Sequence, residues 1–205
     1  MSQYYNPIHP SIATQSHTQY TSLGGAMQGA SLAQSTFLAP NRRRVPQSIY
    51  QPNNQRRLQA GRAVTFQPSV SIDFKGYSRQ GIKMIELYAR GTEALSRMME
   101  GAGDRVLAHA GSNSIMLHIR WPGYEKIEWI RPISLQLSSG PITRAELAAA
   151  VSSNFHRYFE KLQFTPPSFI DWHIGPAGIT FDRLVLVSIV NVFEGVWQAE
   201  VAVDT

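Results

Sequence analysis

Hydrophobic and polar positions alternate most clearly between Ser114 and Trp121. Ile115, Leu117, Ile119 and Trp121 share one parity, and Met116, His118 and Arg120 share the other. Period two marks a strand with one buried face. Pro122-Gly123 supplies a corner, and a return strand carries Ile127, Trp129, Ile133, Leu135 and Leu137 on one parity. Arg131 breaks that parity. Pro132 cannot donate to a ladder, so the return strand is expected either to lie at an edge or to bulge there, and a bulge would turn Arg131 outward.

The pattern then changes period. Ala148, Val151, Phe155, Tyr158 and Leu162 step by three and four, the stripe of one amphipathic helix. Thr143 followed by Glu146 predicts a capping box, and Pro166-Pro167 stops the helix. Leu184 to Phe193 is rich in β-branched residues and predicts a strand. Glu194-Gly195 turns it into a last strand through Val201 and Val203. Upstream, VSIDF predicts an edge strand, and residues 80–100 predict two short helices separated by Gly91. The expected fold is α+β. An antiparallel sheet of hairpins, in the order β-hairpin, helix, β-hairpin, is covered on one face by the amphipathic helix, with short helices preceding it.

No such period runs through residues 1–69. They are rich in Ser, Gln, Asn, Thr, Gly and Pro, and are expected to form a disordered low-complexity tail ahead of a single domain at 70–205. Charge follows the same division. Of the 205 residues, 1–72 hold six arginines and no acid, leaving 13 basic against 14 acidic residues after them. The net charge of +5 therefore belongs to the tail. Arg42, Arg43 and Arg44 are separated by eleven residues from Arg56 and Arg57, the layout of a bipartite nuclear import signal. The same arginines suit a salt-sensitive nucleic-acid interface, an acidic partner, or a solubilising arm.

The hairpin and helix motifs carry a resemblance. WPGYEKIEWIRPI, GPITRAELAAAVSSNFHRYFEK and GITFDRLVLVSIVNVFEGVWQAEV resemble an uncharacterised fungal family common in mushroom-forming fungi, across roughly residues 80–203. Its motifs are W-P-G-Y, P-I-T-R-A-x-L and G-x-W-Q. The resemblance implies one folded unit behind a variable N-terminus, with no activity, cofactor or catalytic residue to carry over.

Candidate chemistry is sparse. With no cysteine, disulfides, thiolate metal sites and a cysteine nucleophile are excluded, which suits an intracellular protein, cytoplasmic or nuclear. The six histidines show no metal-ligand spacing, and neither metal nor cofactor is expected. No apolar run reaches the roughly 18 residues of a membrane span, and the first residues do not read as a secretory signal. His156 and Glu160 lie one helical turn apart and read as a surface ion pair. GAGD at 101–104 reads as a plain loop rather than a phosphate-binding turn. Glu125 and Glu128 read as solvated flanks of the corner.

Three functions from different classes remain. The leading one is a non-enzymatic interaction or scaffold protein, tethered by its basic tail. It would meet a protein partner through Trp121, Tyr124 and Trp129, since Tyr and Trp anchor interfaces. The parity of Trp121 and Trp129 also fits the core, whereas Tyr124 sits at the corner. The second is a nucleic-acid-binding protein acting through the tail arginines. The third is a hydrolase-like enzyme using Asp171 and His173, for which no nucleophile context is present.

Overall fold

The computed structural model describes residues 39–52 and 67–205. In chain order these form β1 (Arg42–Arg44), β2 (Val70–Ser71), β3 (Ile82–Lys83), α1 (Met84–Ala89), α2 (Thr92–Met98), β4 (Ser114–Ile119) and β5 (Trp129–Ser134). There follow β6 (Gln136–Leu137), β7 (Gly140–Pro141), α3 (Arg144–Leu162), β8 (Leu184–Phe193) and β9 (Val196–Asp204). The architecture is α+β with a mostly antiparallel sheet. Among the described residues no helix is long and apolar enough to cross a membrane.

The two predicted hairpins form and then join. β4 pairs with β5 in unbroken register from Ser114 opposite Ser134 to Ile119 opposite Trp129. β8 pairs with β9 around Glu194-Gly195, with two irregularities in the ladder. The hairpins meet through a short parallel pairing, Met116 opposite Val196 and Leu117 opposite Trp197, giving the path β2-β8-β9-β4-β5. The β4–β5 connection is longer than a tight corner, because the strands end at Ile119 and restart at Trp129. No bulge is needed at Arg131. It stays in register opposite Leu117 on the edge strand β5, and its guanidinium lies 4.5 Å above the Trp129 ring. Edge placement gives the charge a route to water.

α3 carries both halves of its capping box. Thr143 accepts from the Glu146 amide, and the Glu146 carboxylate accepts from the Thr143 amide at 2.8 Å. The stripe from Ala148 to Leu162 is buried and belongs to one core with Ile115, Leu117, Ile119, Leu184, Leu186, Ile189, Trp197 and Val201. These strand residues share one face of the sheet. Tyr158 meets Trp129 edge-on, and Phe159 meets Trp121 in the same way, so the helix lies across that face. GAGD is the expected loop, and it caps α3. Asp104 and Ala102 offer carbonyls to the Arg144 and Ala145 amides, and Arg144 pairs with Asp104 at 3.1 Å.

The expected boundary at Val70 is corrected. Arg42–Arg44 add antiparallel to β9, and Val45 continues the edge by donating to the Val201 carbonyl. The Gln47 side chain then donates to the Ala199 carbonyl, standing in for a strand amide in the space before β4 begins. Gln198, fully buried, grips the same segment by donating to the Ser48 carbonyl and accepting from the Tyr50 amide. Residues 42–50 are therefore part of the folded body. The arginines fit because β9 presents acids to them. For the rest of the expected tail, residues 1–38 and 53–66 lie outside the described residues.

Candidate functional site

The hairpin corner is built from one glycine. Tyr124 donates its amide to the Trp121 carbonyl at 3.0 Å, closing a turn in which Gly123 takes φ +83°. That is the position where a type II turn requires a positive φ. Gly123 also lets a second segment come close, since a Cβ there would sit 3.1 Å from the Phe169 nitrogen. That segment is the loop following α3, started by Pro166-Pro167.

Four hydrogen bonds fasten the loop to the corner. Ser168 donates both its amide (2.8 Å) and its hydroxyl (2.9 Å) to the Gly123 carbonyl. The Tyr124 hydroxyl donates to the Thr165 carbonyl at 2.9 Å and accepts from the Ile174 amide at 3.1 Å, latching the start of the loop to its end. Burial raises the Tyr124 pKa more than the Ile174 bond lowers it, so the hydroxyl keeps its proton. Trp121 Nε1 adds a further tie to the Trp172 carbonyl at 2.8 Å.

What this bracing presents is apolar. Phe164 is 86% exposed, Phe169 61% and Ile170 79%. Sequence reasoning missed these three, although FTPPSFI, with large apolar residues around a proline pair just past a helix stop, carried the signal. The residues proposed from sequence as the surface are instead its support. Trp121 is 0%, Tyr124 3% and Trp129 6% exposed. Trp121 is covered by Phe159 and Trp172, Trp129 lies beneath Arg131 and Lys161, and Tyr124 is covered by the loop it latches.

The tail arginines are also placed. Arg42 pairs with Asp204 at 2.8 Å and donates to the Gln80 carbonyl. Arg44 pairs with Glu200, which also accepts from Ser188. Arg43 stacks 4.0 Å over Trp172 and donates to the Asp171 carbonyl. Arg42 and Arg44 are neutralised within the fold and do not form a free basic cluster. Arg56 and Arg57 lie outside the described residues.

A second feature lies on the sheet face away from α3. A cavity of about 360 Å3 is lined by Tyr50, His118, Arg120, Glu125, Glu128 and Ile130, among others. His118 is 4% exposed, and its Nδ1 is sealed without a hydrogen-bond partner. Burial, reinforced by the charge of Arg120, pushes the His118 pKa down; Glu128 opposes this and does not prevail. Tyr50 meets the imidazole edge-on at 5.1 Å. Arg120 Nε is held by Ser48 Oγ at 2.7 Å, and Glu125 accepts from the Gly123 amide at 2.8 Å.

The remaining candidates do not converge. His156 pairs with Glu160 at 3.3 Å, as expected of a helix-surface pair, and stacks on Tyr88 at 4.4 Å. Among the described residues no hydrogen bond or ion pair joins Asp171 to His173, and Asp171 is exposed on a 3-10 turn. No group of His, Asp and Glu able to hold a metal ion occurs among the described residues. No family model matches the chain, and neither the curated proteins nor the solved structures provide a match. Geometry alone must carry the functional reading.

Proposed function

We propose that this protein is a non-enzymatic interaction module that docks a protein partner on the loop spanning residues 163–172. The observation that carries this is the exposure of Phe164, Phe169 and Ile170 on a loop held by hydrogen bonds at both ends. Burying a large apolar side chain yields about 1.5–3 kcal/mol. Three of them offer a partner a useful gain in one short segment. A loop already held in shape spares much of the ordering cost that association otherwise incurs. Trp121 and Tyr124 contribute from beneath, by fixing the backbone that displays these side chains.

The nucleic-acid reading is weakened by the pairing of Arg42 with Asp204 and Arg44 with Glu200, since a charge already neutralised releases few counterions. The hydrolase reading lacks an assembled acid, base and nucleophile among the described residues.

The test compares proteins captured from source-cell extract by the wild type and by the Phe164→Ser, Phe169→Ser, Ile170→Ser variant, each at matched melting temperature. A genuine partner is expected to fall by about tenfold or more in the variant, the behaviour of interface anchors. Tyr124→Phe, which keeps the ring and loses the latch, should give a smaller loss of the same partner. Identical capture profiles for wild type and triple variant would end the proposal.

A further inference from the structure

The cavity beside His118 holds charges of both signs that do not meet. Arg120 is anchored through Nε to Ser48, which leaves its two terminal nitrogens without a partner among the described residues. Glu128 lines the same cavity and makes no hydrogen bond or ion pair among the described residues. Glu125 spends one oxygen on the Gly123 amide and keeps the other. Arg120 directs its Nε to Ser48 rather than to either carboxylate. Opposite charges kept apart across a concavity form the complement of a ligand that carries both signs itself.

His118 adds the orienting group. A neutral imidazole has one lone pair and one N–H. The lone pair is better accommodated at the sealed, partnerless Nδ1, because a buried N–H without an acceptor is the rarer arrangement. The ring proton then sits on Nε2 and joins Arg120 as a donor for an anionic group. Tyr50 and Ile130 supply an apolar wall.

We infer that this cavity binds a free α-amino acid, its carboxylate against Arg120 and His118 and its ammonium against Glu128 and Glu125. Size agrees. A sphere of 360 Å3 is about 9 Å across. An ammonium and a carboxylate on one carbon, with hydrogen bonds of about 2.9 Å at each end, span roughly that width. An internal peptide segment lacks both charges, and a peptide terminus carries only one within reach.

Melting of the full chain is measured with each standard amino acid at about 10 mM. At least one is expected to raise Tm by about 3–5 °C, the shift for a ligand near ten times its Kd on a chain of this size. The amide and the des-amino acid of the best binder should each give less than about a third of that shift, since each lacks one charge. Glu128→Gln, at an exposed position with no hydrogen-bond or ion-pair partner among the described residues, should keep the unliganded Tm and abolish the shift. Arg120→Gln should abolish it too. The inference is overturned if no amino acid stabilises the wild type, if the des-amino acid works equally well (an anion site only), or if Glu128→Gln still responds.

Discussion

The two faces of the sheet follow different rules. Towards α3, Ile115, Leu117, Ile119, Leu186, Trp197, Ala199 and Val201 are all buried in one apolar core. On the other face Val185, Val187 and Ala202 form a small apolar cluster. Around it lie the Arg44–Glu200 pair, Asp204 shared by Arg42 and Lys83, Gln198 gripping the backbone, and the His118 cavity. Alternation along each strand separates these two populations. The first face holds the fold together by burial, which is non-directional and tolerates no gaps. The second is held by directional polar contacts, so individual groups there can stay unpaired without loosening the core.

This contrast can be broken most sharply on the apolar face. Phe155→Ala, at a fully buried position, should cost about 3–5 kcal/mol. Urea denaturation would show it, and a loss below about 1 kcal/mol would mean that the helix does not seal the core. On the polar face, Glu200→Gln should cost about 2–3 kcal/mol, because Arg44 and Ser188 lose a charged partner. A cost matching that of Phe155→Ala would erase the distinction between the faces.

The smallest effect is pH-dependent. Burial opposes ionisation of Asp204, but hydrogen bonds and charge from Lys83 and Arg42 outweigh it and hold the carboxyl below its usual range. A carboxyl depressed in the folded state stabilises that state above its ordinary pKa. The contribution is lost as pH falls through the folded value, in a window from about pH 4.5 downwards. Asp204→Asn should therefore be less stable than wild type at neutral pH, with the gap narrowing on acidification through that window. A constant gap, followed by urea midpoints, would contradict the assignment.

Elements that rest on local period are legible in the chain itself. The stripe and capping box of α3, the β8–β9 hairpin and the two short helices about Gly91 all have their causes within a few residues. The placement of Arg42–Arg44 is not legible, because Asp204 lies 162 positions away from Arg42 and nothing local announces it. The corner is half legible. Trp-Pro-Gly-Tyr specifies its turn, but only the arrival of the loop after α3 decides that Tyr124 is covered and Phe164 bare. By period alone His118 is one outward residue in an alternating strand. Its cavity is lined in part by Tyr50, from a segment with no periodicity to reveal it.

The grip of Gln198 and Ala199 on residues 47–50 has a consequence for synthesis. The ribosome makes that segment about 150 residues before the partners that receive it. A nascent chain therefore carries Val45 and Gln47 with nowhere to dock until β9 emerges, so docking this strap is a late event of biogenesis. Lateness is not a heavy penalty, since loop-closure entropy grows only logarithmically, by about 0.6 kcal/mol per doubling of length.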